Sequence, residues 1–209
     1  MMSVLAGRAP DWLNVSRETL DRLMAYLTLV EKWNPAINLV AKGSLPAAWE
    51  RHVLDSAQLM LLCPEDCRSW VDFGSGGGLP GMVIAAIAKE LHPELHLTLV
   101  EADKRKATFL TQAARQLNLS VTVIADRSES IAPCDADVIS ARALAPLIDL
   151  CGLAHRHLGQ NGTAIFPKGA QAEAELVAAR KRWNFDAQSV QSLTDPTGRI
   201  ITMKNIRHV

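Results

Sequence analysis

The stretch "DFGSGGGLPG" (72–81) is where this sequence is best equipped for chemistry. One carboxylate, Asp72, stands before five glycines in ten residues. Glycine lets a ligand approach the backbone because no Cβ intrudes. A tight strand-to-helix turn accounts for one or two of these glycines, not for five. Gly76–Gly81 fits the dinucleotide fingerprint G-x-G-x-x-G, and Gly76 and Gly81 also have P-loop spacing. Met82 and Val83 stand where a P-loop has Lys and a hydroxyl, so phosphate and Mg²⁺ would have no holder. A nicotinamide dinucleotide would set its pyrophosphate beside the Asp72 carboxylate, with little water between the charges. Adenosylmethionine has no phosphate and carries a sulfonium and an ammonium. Asp72 favours that ligand, with Gly74 and Gly76 as the points of close approach.

The next carboxylate is Glu101, in "LTLVEAD" (97–103). At the end of a second strand it could accept hydrogen bonds from both ribose hydroxyls. Taken alone it could also be a solvated acid. Beside the glycine loop it marks a nucleoside, without choosing between adenosylmethionine and a nicotinamide cofactor.

These residues need a scaffold, and the periodicity supplies one. "SWVDFG" (69–74) reads as a strand running into the loop, and 79–91 as a helix. Strands follow at 95–103, 119–126, 136–143 and 162–169, with helices at 104–118, 145–158 and 170–183 between and after them. Two pairing strands close the chain at 185–193 and 198–206. Strands alternating with helices predict a mostly parallel, Rossmann-like α/β sheet covered on both faces. Ligands of such sheets bind at the carboxyl ends of the strands, near the topological switch point. Ahead of it, Leu20, Leu23, Met24, Leu27 and Val30 have helical spacing, with Ser16 as N-cap. A second helix is expected over 46–62, after a connector at 34–44 containing Pro35 and Gly43. The expected division is a helical appendage (1–65) and an adenosylmethionine-binding domain (66–209).

Composition limits the alternatives. The chain has 209 residues, 48% of them apolar, and equal numbers of basic and acidic residues, 22 each. No basic field covers the whole molecule, so nucleic-acid contact must come from a local patch. The start, "MMSVLAGRAPDW", lacks a signal-peptide layout, and no apolar run reaches membrane-spanning length, which predicts a cytoplasmic protein. Cys63 and Cys67 lack a second ligand pair, so with Cys134 and Cys151 they read as reduced thiols and no metal is expected.

Seven stretches in order resemble one family: "WNPAINLV" (33–40), "RHVLDS" (51–56), "DFGSGGGLPG" (72–81), "VEADKRKATFL" (100–110), "DRSE" (126–129), "SARALA" (140–145) and "PKG" (167–169). Together they are similar to RsmG, also called glucose-inhibited division protein B. The resemblance implies a bacterial methyltransferase that uses adenosylmethionine to methylate N7 of one guanine in 16S ribosomal RNA. It also implies cofactor contacts at Gly74, Leu79, Ser128, Glu129 and Arg142. Leu79 stands where the family often has Phe, and Ser128 where it often has Ala.

Given that reaction, guanine N7 attacks with an in-plane lone pair and loses no proton, so no general base, and no catalytic residue in that sense, is expected. Arg142 could also meet guanine O6 or a phosphate, or pair with Asp126 or Glu129. Phosphate contact is a use for Lys104, Arg105 and Lys106 at a helix start, for Lys168 at a strand end, and for Arg51 and His52 in the appendage. The other use for such charges is a solvated face. Trp33 either stacks on a base or packs in the core. The competing functions are a NAD(P)-dependent oxidoreductase and an adenosylmethionine-binding assembly factor without turnover. Residues 170–209 show no functional signal beyond their pattern.

Overall fold

The computed structural model describes residues 9–209; most of the opening stretch read for a signal peptide, residues 1–8, lies outside them. Helix α1 spans Arg17–Ile37 and is capped by Ser16, whose Oγ accepts from the Thr19 N–H. It runs further than the sequence suggests, through Pro35 and to Asn38. Pro35 has no N–H to continue the helix ladder, and the helix ends two residues after it. Asn38, in the left-handed region, then returns its N–H to the Asn34 carbonyl, and the Asn34 side chain accepts from Val40. The second expected helix is irregular. It passes through 3₁₀ turns (Lys42–Ala47), a wide π turn (Trp49–Leu54), one α turn (Asp55–Ala57) and 3₁₀ turns again (Gln58–Leu62).

The strands are β1 (Ser69–Phe73), β2 (His96–Val100), β3 (Val121–Ile124), β4 (Ala136–Ala141), β5 (Leu158–Lys168), β6 (Trp183–Gln191) and β7 (Arg199–His208). The helices between them are α2 (Gly81–Leu91), α3 (Lys104–Gln116), α4 (Leu147–His157) and α5 (Ala172–Ala179). The sheet order is β3-β2-β1-β4-β5-β7-β6, parallel from β3 to β5, with β7 antiparallel to both neighbours. Strand order reverses between β1 and β4, whose ends Phe73 and Ala141 lie side by side. This is the switch point at which a ligand crevice opens.

Alternate strand residues feed two cores. Trp70, Leu97, Leu99, Val138 and Ile165 pack on one face with α1, α2, α3 and the 42–62 segment. Val71, Phe73, Ile139 and Phe166 pack on the other with α4 and α5. Leu23, Tyr26, Val30 and Val53 thus share one apolar core with the sheet, so residues ahead of β1 are a packed layer of it. Trp33 belongs to that layer, its ring 5.8 Å from that of Phe109.

One hydrogen bond ties α1 to the glycine loop. The buried Tyr26 hydroxyl donates to the Gly77 carbonyl at 2.5 Å, and Leu39 closes on Gly77 from the same side. Removing the hydroxyl leaves a buried carbonyl unpaired, at about 1–3 kcal/mol. Tyr26→Phe is therefore expected to unfold at lower urea concentration with an unchanged m-value; equal midpoints would show that this bond adds no stability.

Candidate functional site

The site is built around the loop that leaves β1. Gly74, Gly76 and Gly78 have φ of 63°, 56° and 91°, a region costly for residues with a Cβ. A Cβ on Gly74 would meet Leu144 Cδ1 at 2.5 Å, and one on Gly81 would meet Leu99 Cδ2 at 2.3 Å and Asp72 Oδ2 at 2.9 Å. The glycines are thus needed both for backbone conformation and for close packing.

Asp72 holds this loop from below. It is wholly buried; one carboxylate oxygen accepts from the Gly81 N–H at 3.2 Å and the other from Ser140 Oγ at 2.7 Å. Ser140 in turn accepts from Trp70 Nε1 at 2.9 Å. Burial raises the Asp72 pKa to about 6, against the opposing effect of the Ser140 and Ser75 hydroxyls and the Gly81 amide. The expected direct cofactor contact is corrected here: Asp72 faces inward and braces the loop.

Glu101 holds the loop from the side. Its two oxygens accept from the Gly76 and Asp103 N–H groups, each at 2.7 Å. A carboxylate offers about four acceptor positions, so capacity remains. Most loop amides are already satisfied within the protein. Ser75 N–H bonds Val100 O, Gly76 bonds Glu101, Gly78 and Leu79 bond Ser75 O, and Gly81 bonds Asp72. Few amides are left to cradle a pyrophosphate as in a dinucleotide fold.

A cleft of about 320 Å³ opens above the loop, bounded by Gly74, Gly76, Glu101, Ser128, Glu129 and Leu144. It thus collects five of the expected cofactor residues, together with Lys106, which was expected at RNA. Ser128 is set by His157, whose Nε2–H donates to the Ser128 carbonyl at 3.1 Å. Asp126 and Arg127, at the β3 end, also line the cleft; the strand-end position was the available signal. Leu79 does not line this cleft; its side chain is buried in the core beside α2.

The Arg142 side chain also departs from expectation. It lines a second cleft of about 420 Å³, together with Arg51, Asp55, Lys168, Asp195 and Arg199. The two clefts meet at Ala143, which lines both. Arg142 pairs with Asp55 at 3.0 Å, instead of with Asp126 or Glu129. It also donates to the Arg51 carbonyl and to His52 Nδ1, each at 3.4 Å. His52 Nε2 lies 2.7 Å from Ser44 Oγ, which donates to the Ala41 carbonyl. Accepting at Nδ1 leaves the proton on Nε2, a neutral ring. Burial first, then Arg142 and Arg51, push the His52 pKa down to about 4. The expectation that His52 meets phosphate as a cation is corrected: it orients Arg142.

Lys168 is likewise engaged, by Glu175 at 2.7 Å and the Ala145 carbonyl at 3.1 Å. Arg105 pairs with Asp103 at 3.4 Å, and neither it nor Lys104 lines either cleft. Sequence reasoning missed Ser140 as the Asp72 partner and Arg199 in the tail. Among the described residues, no cluster of His, Cys, Asp or Glu could hold a metal ion, and no helix is long and apolar enough to cross a membrane.

Comparison with known proteins locates this arrangement. A family model described as rRNA small subunit methyltransferase G matches residues 19–202. A protein named ribosomal RNA small subunit methyltransferase G from Cereibacter sphaeroides is 54% identical over 202 residues, covering 97% of each chain. One of the same name from a Ruegeria species is 49% identical over 203 residues, covering 97% of this chain and 98% of its own. Among solved structures, a SAM-dependent methyltransferase from Aquifex aeolicus shares the fold with a TM-score of 0.58 at 11% identity, over 76% of this chain and 92% of that one.

The buried acid makes stability depend on pH in a stated direction. Its folded pKa of about 6 lies above the ordinary 3.8, so the folded state holds the proton more tightly. Its stabilising contribution is complete below about pH 4 and is lost as pH rises through about 6. Asp72→Asn removes this titration. Relative to wild type, the variant is expected to gain on the order of 2–3 kcal/mol between about pH 4 and 7.5. Urea unfolding across that range checks it; a constant difference would assign the titration elsewhere.

Proposed function

The chain belongs to the rRNA small subunit methyltransferase G family, and from that premise we propose that it methylates N7 of a guanine in 16S ribosomal RNA. It is an adenosylmethionine-dependent methyltransferase. The observation that carries the reading is the first cleft, a nucleoside-sized space beside a carboxylate, over a loop most of whose amides are already hydrogen-bonded within the protein. Adenosylmethionine supplies a methyl group on a positively charged sulfur, which departs as a neutral thioether.

The residues present fit that ligand. Glu101 has acceptor positions left for ribose hydroxyls. Gly74 leaves room that a side chain would take from Leu144. Ser128 and Glu129 stand across the cleft, where the family places cofactor contacts. Three acids, Glu101, Asp126 and Glu129, outnumber the cations Lys106 and Arg127 around it. That balance suits a cationic ligand and opposes the pyrophosphate of a nicotinamide cofactor. In this reading residues 66–209 carry the transfer and the helical residues before them supply the wall of the second cleft. A ribosomal RNA substrate accords with a cytoplasmic enzyme.

The protein's contribution to the chemistry is position. The attacking N7 has no proton to lose, so the site needs alignment and no base. The histidine beside Arg142 is neutral well below physiological pH and is already hydrogen-bonded.

Two measurements test this. Glu101→Ala is expected to weaken adenosylmethionine binding about tenfold to a hundredfold by calorimetry, through lost charge-assisted hydrogen bonds. Gly74→Val is expected to abolish it; a folded Gly74→Val variant with normal affinity would remove the loop from the site. At saturating adenosylmethionine and RNA, the single-turnover rate is expected to stay flat from about pH 6.5 to 8.5. A log-linear rise, abolished by one His or Asp substitution that spares both affinities, would mean an acceptor that must lose a proton.

A further inference from the structure

The second cleft has a charge layout that the cofactor does not require. Arg142 and Lys168 are neutralised by Asp55 and Glu175. Arg199 stands at the first position of β7 and lines the cleft, and its side chain makes no hydrogen bond or ion pair among the described residues. Register places it opposite Lys168, at the carboxyl end of β5 and hence on the cofactor side of the sheet. The wall that carries it is built. Gln58 bonds the Ser192 and Thr194 hydroxyls and the Leu193 amide, and Thr194 donates to Asp55.

Hydrogen-bond capacity is unevenly spent across this cleft. Asp55 gives one oxygen to Arg142 and the other to Gln58 and Thr194. Arg142 spends three N–H groups, on Asp55, Arg51 and His52. A guanidinium has five, so two remain. Arg142 thus keeps donor capacity, on a guanidinium fixed by three acceptors. Ala143, between the clefts, has φ of 53°, unusual for an alanine, so the shared rim is a specified shape.

We propose that the second cleft receives the guanosine nucleotide to be methylated, with Arg142 donating to O6 of the base and Arg199 facing its phosphate. The inference rests on the methyltransferase reading above. O6 and N7 share one edge of guanine, so a donor at O6 holds that edge while leaving the N7 lone pair free. Adenine presents an amino group at the O6 position and would set donor against donor. In this arrangement the N1 and N2 edge has no assigned reader.

The test uses the full chain, adenosylmethionine and a ribosomal RNA transcript whose methylated guanosine is replaced singly. Inosine keeps O6 and lacks the N2 amine; 2-aminopurine lacks O6. The single-turnover rate on inosine is expected within about threefold of guanosine, and that on 2-aminopurine reduced by about tenfold or more. In Arg142→Gln that discrimination should collapse, which a merely structural role would not produce. Arg199→Glu, with Arg199→Ala as the milder change, should weaken RNA binding about tenfold and leave adenosylmethionine affinity unchanged. Arg207→Glu, the same charge change near the other end of β7, should alter neither. Equal rates on guanosine and 2-aminopurine, or unchanged RNA affinity in both Arg199 variants, would overturn the assignment of this cleft. A wild-type protein that binds RNA but transfers no methyl group to guanosine would instead overturn the methyltransferase reading.

Discussion

A charged group beneath the glycine loop sets the terms for the rest of the site. Asp72 is sealed from water and accepts from the first amide of α2 and from a hydroxyl of β4. Helix N-termini favour negative charge, and here the protein supplies its own. The consequence is selective. A dinucleotide fold leaves that helix end open for pyrophosphate; this one closes it from inside. What remains is a cradle for an uncharged ribose and a cationic tail. The raised pKa measures the desolvation that this closure costs.

The same logic organises the neighbouring cleft. The wide turn at Trp49–Leu54 and the residue after it present a backbone carbonyl, a neutral imidazole and a carboxylate to a single guanidinium. Each of those groups would be less useful alone. His52 accepts because its charge is suppressed by burial and by the arginines themselves. The result is one cation held in orientation at the junction of the clefts, with Arg199 across from it on a different strand.

The parts legible in the sequence were those governed by local pattern. Alternation and helical spacing located the strands and the helices between them, because buried periodicity needs no partner to be seen; the broken turns over 42–62 read only as one helix. Glu101 was legible because a strand end beside a glycine loop has few places to point. Asp72 was misread as a direct contact because its partner, Ser140, lies 68 residues away on the neighbouring strand. The burial of the Leu79 side chain was not legible, because a loop residue can turn into the core as readily as toward a ligand. Arg142 required knowing that Asp55 approaches it across 87 residues, and Arg199 that β7 inserts beside β5. These are facts of long-range pairing, to which periodicity is blind.

The anchoring of the 192–194 segment by Gln58 bears on how the molecule is completed as it is made. Every residue lining the first cleft has been synthesised once the chain reaches Leu144, whereas the second cleft draws on residues up to Ile200. Gln58, made early, waits for partners made last. At roughly 5–20 residues per second, the nascent chain spends several seconds with one cleft's residues all present and the other's incomplete. The order of synthesis therefore separates the two clefts in time, and the Gln58 contacts close the structure at its end.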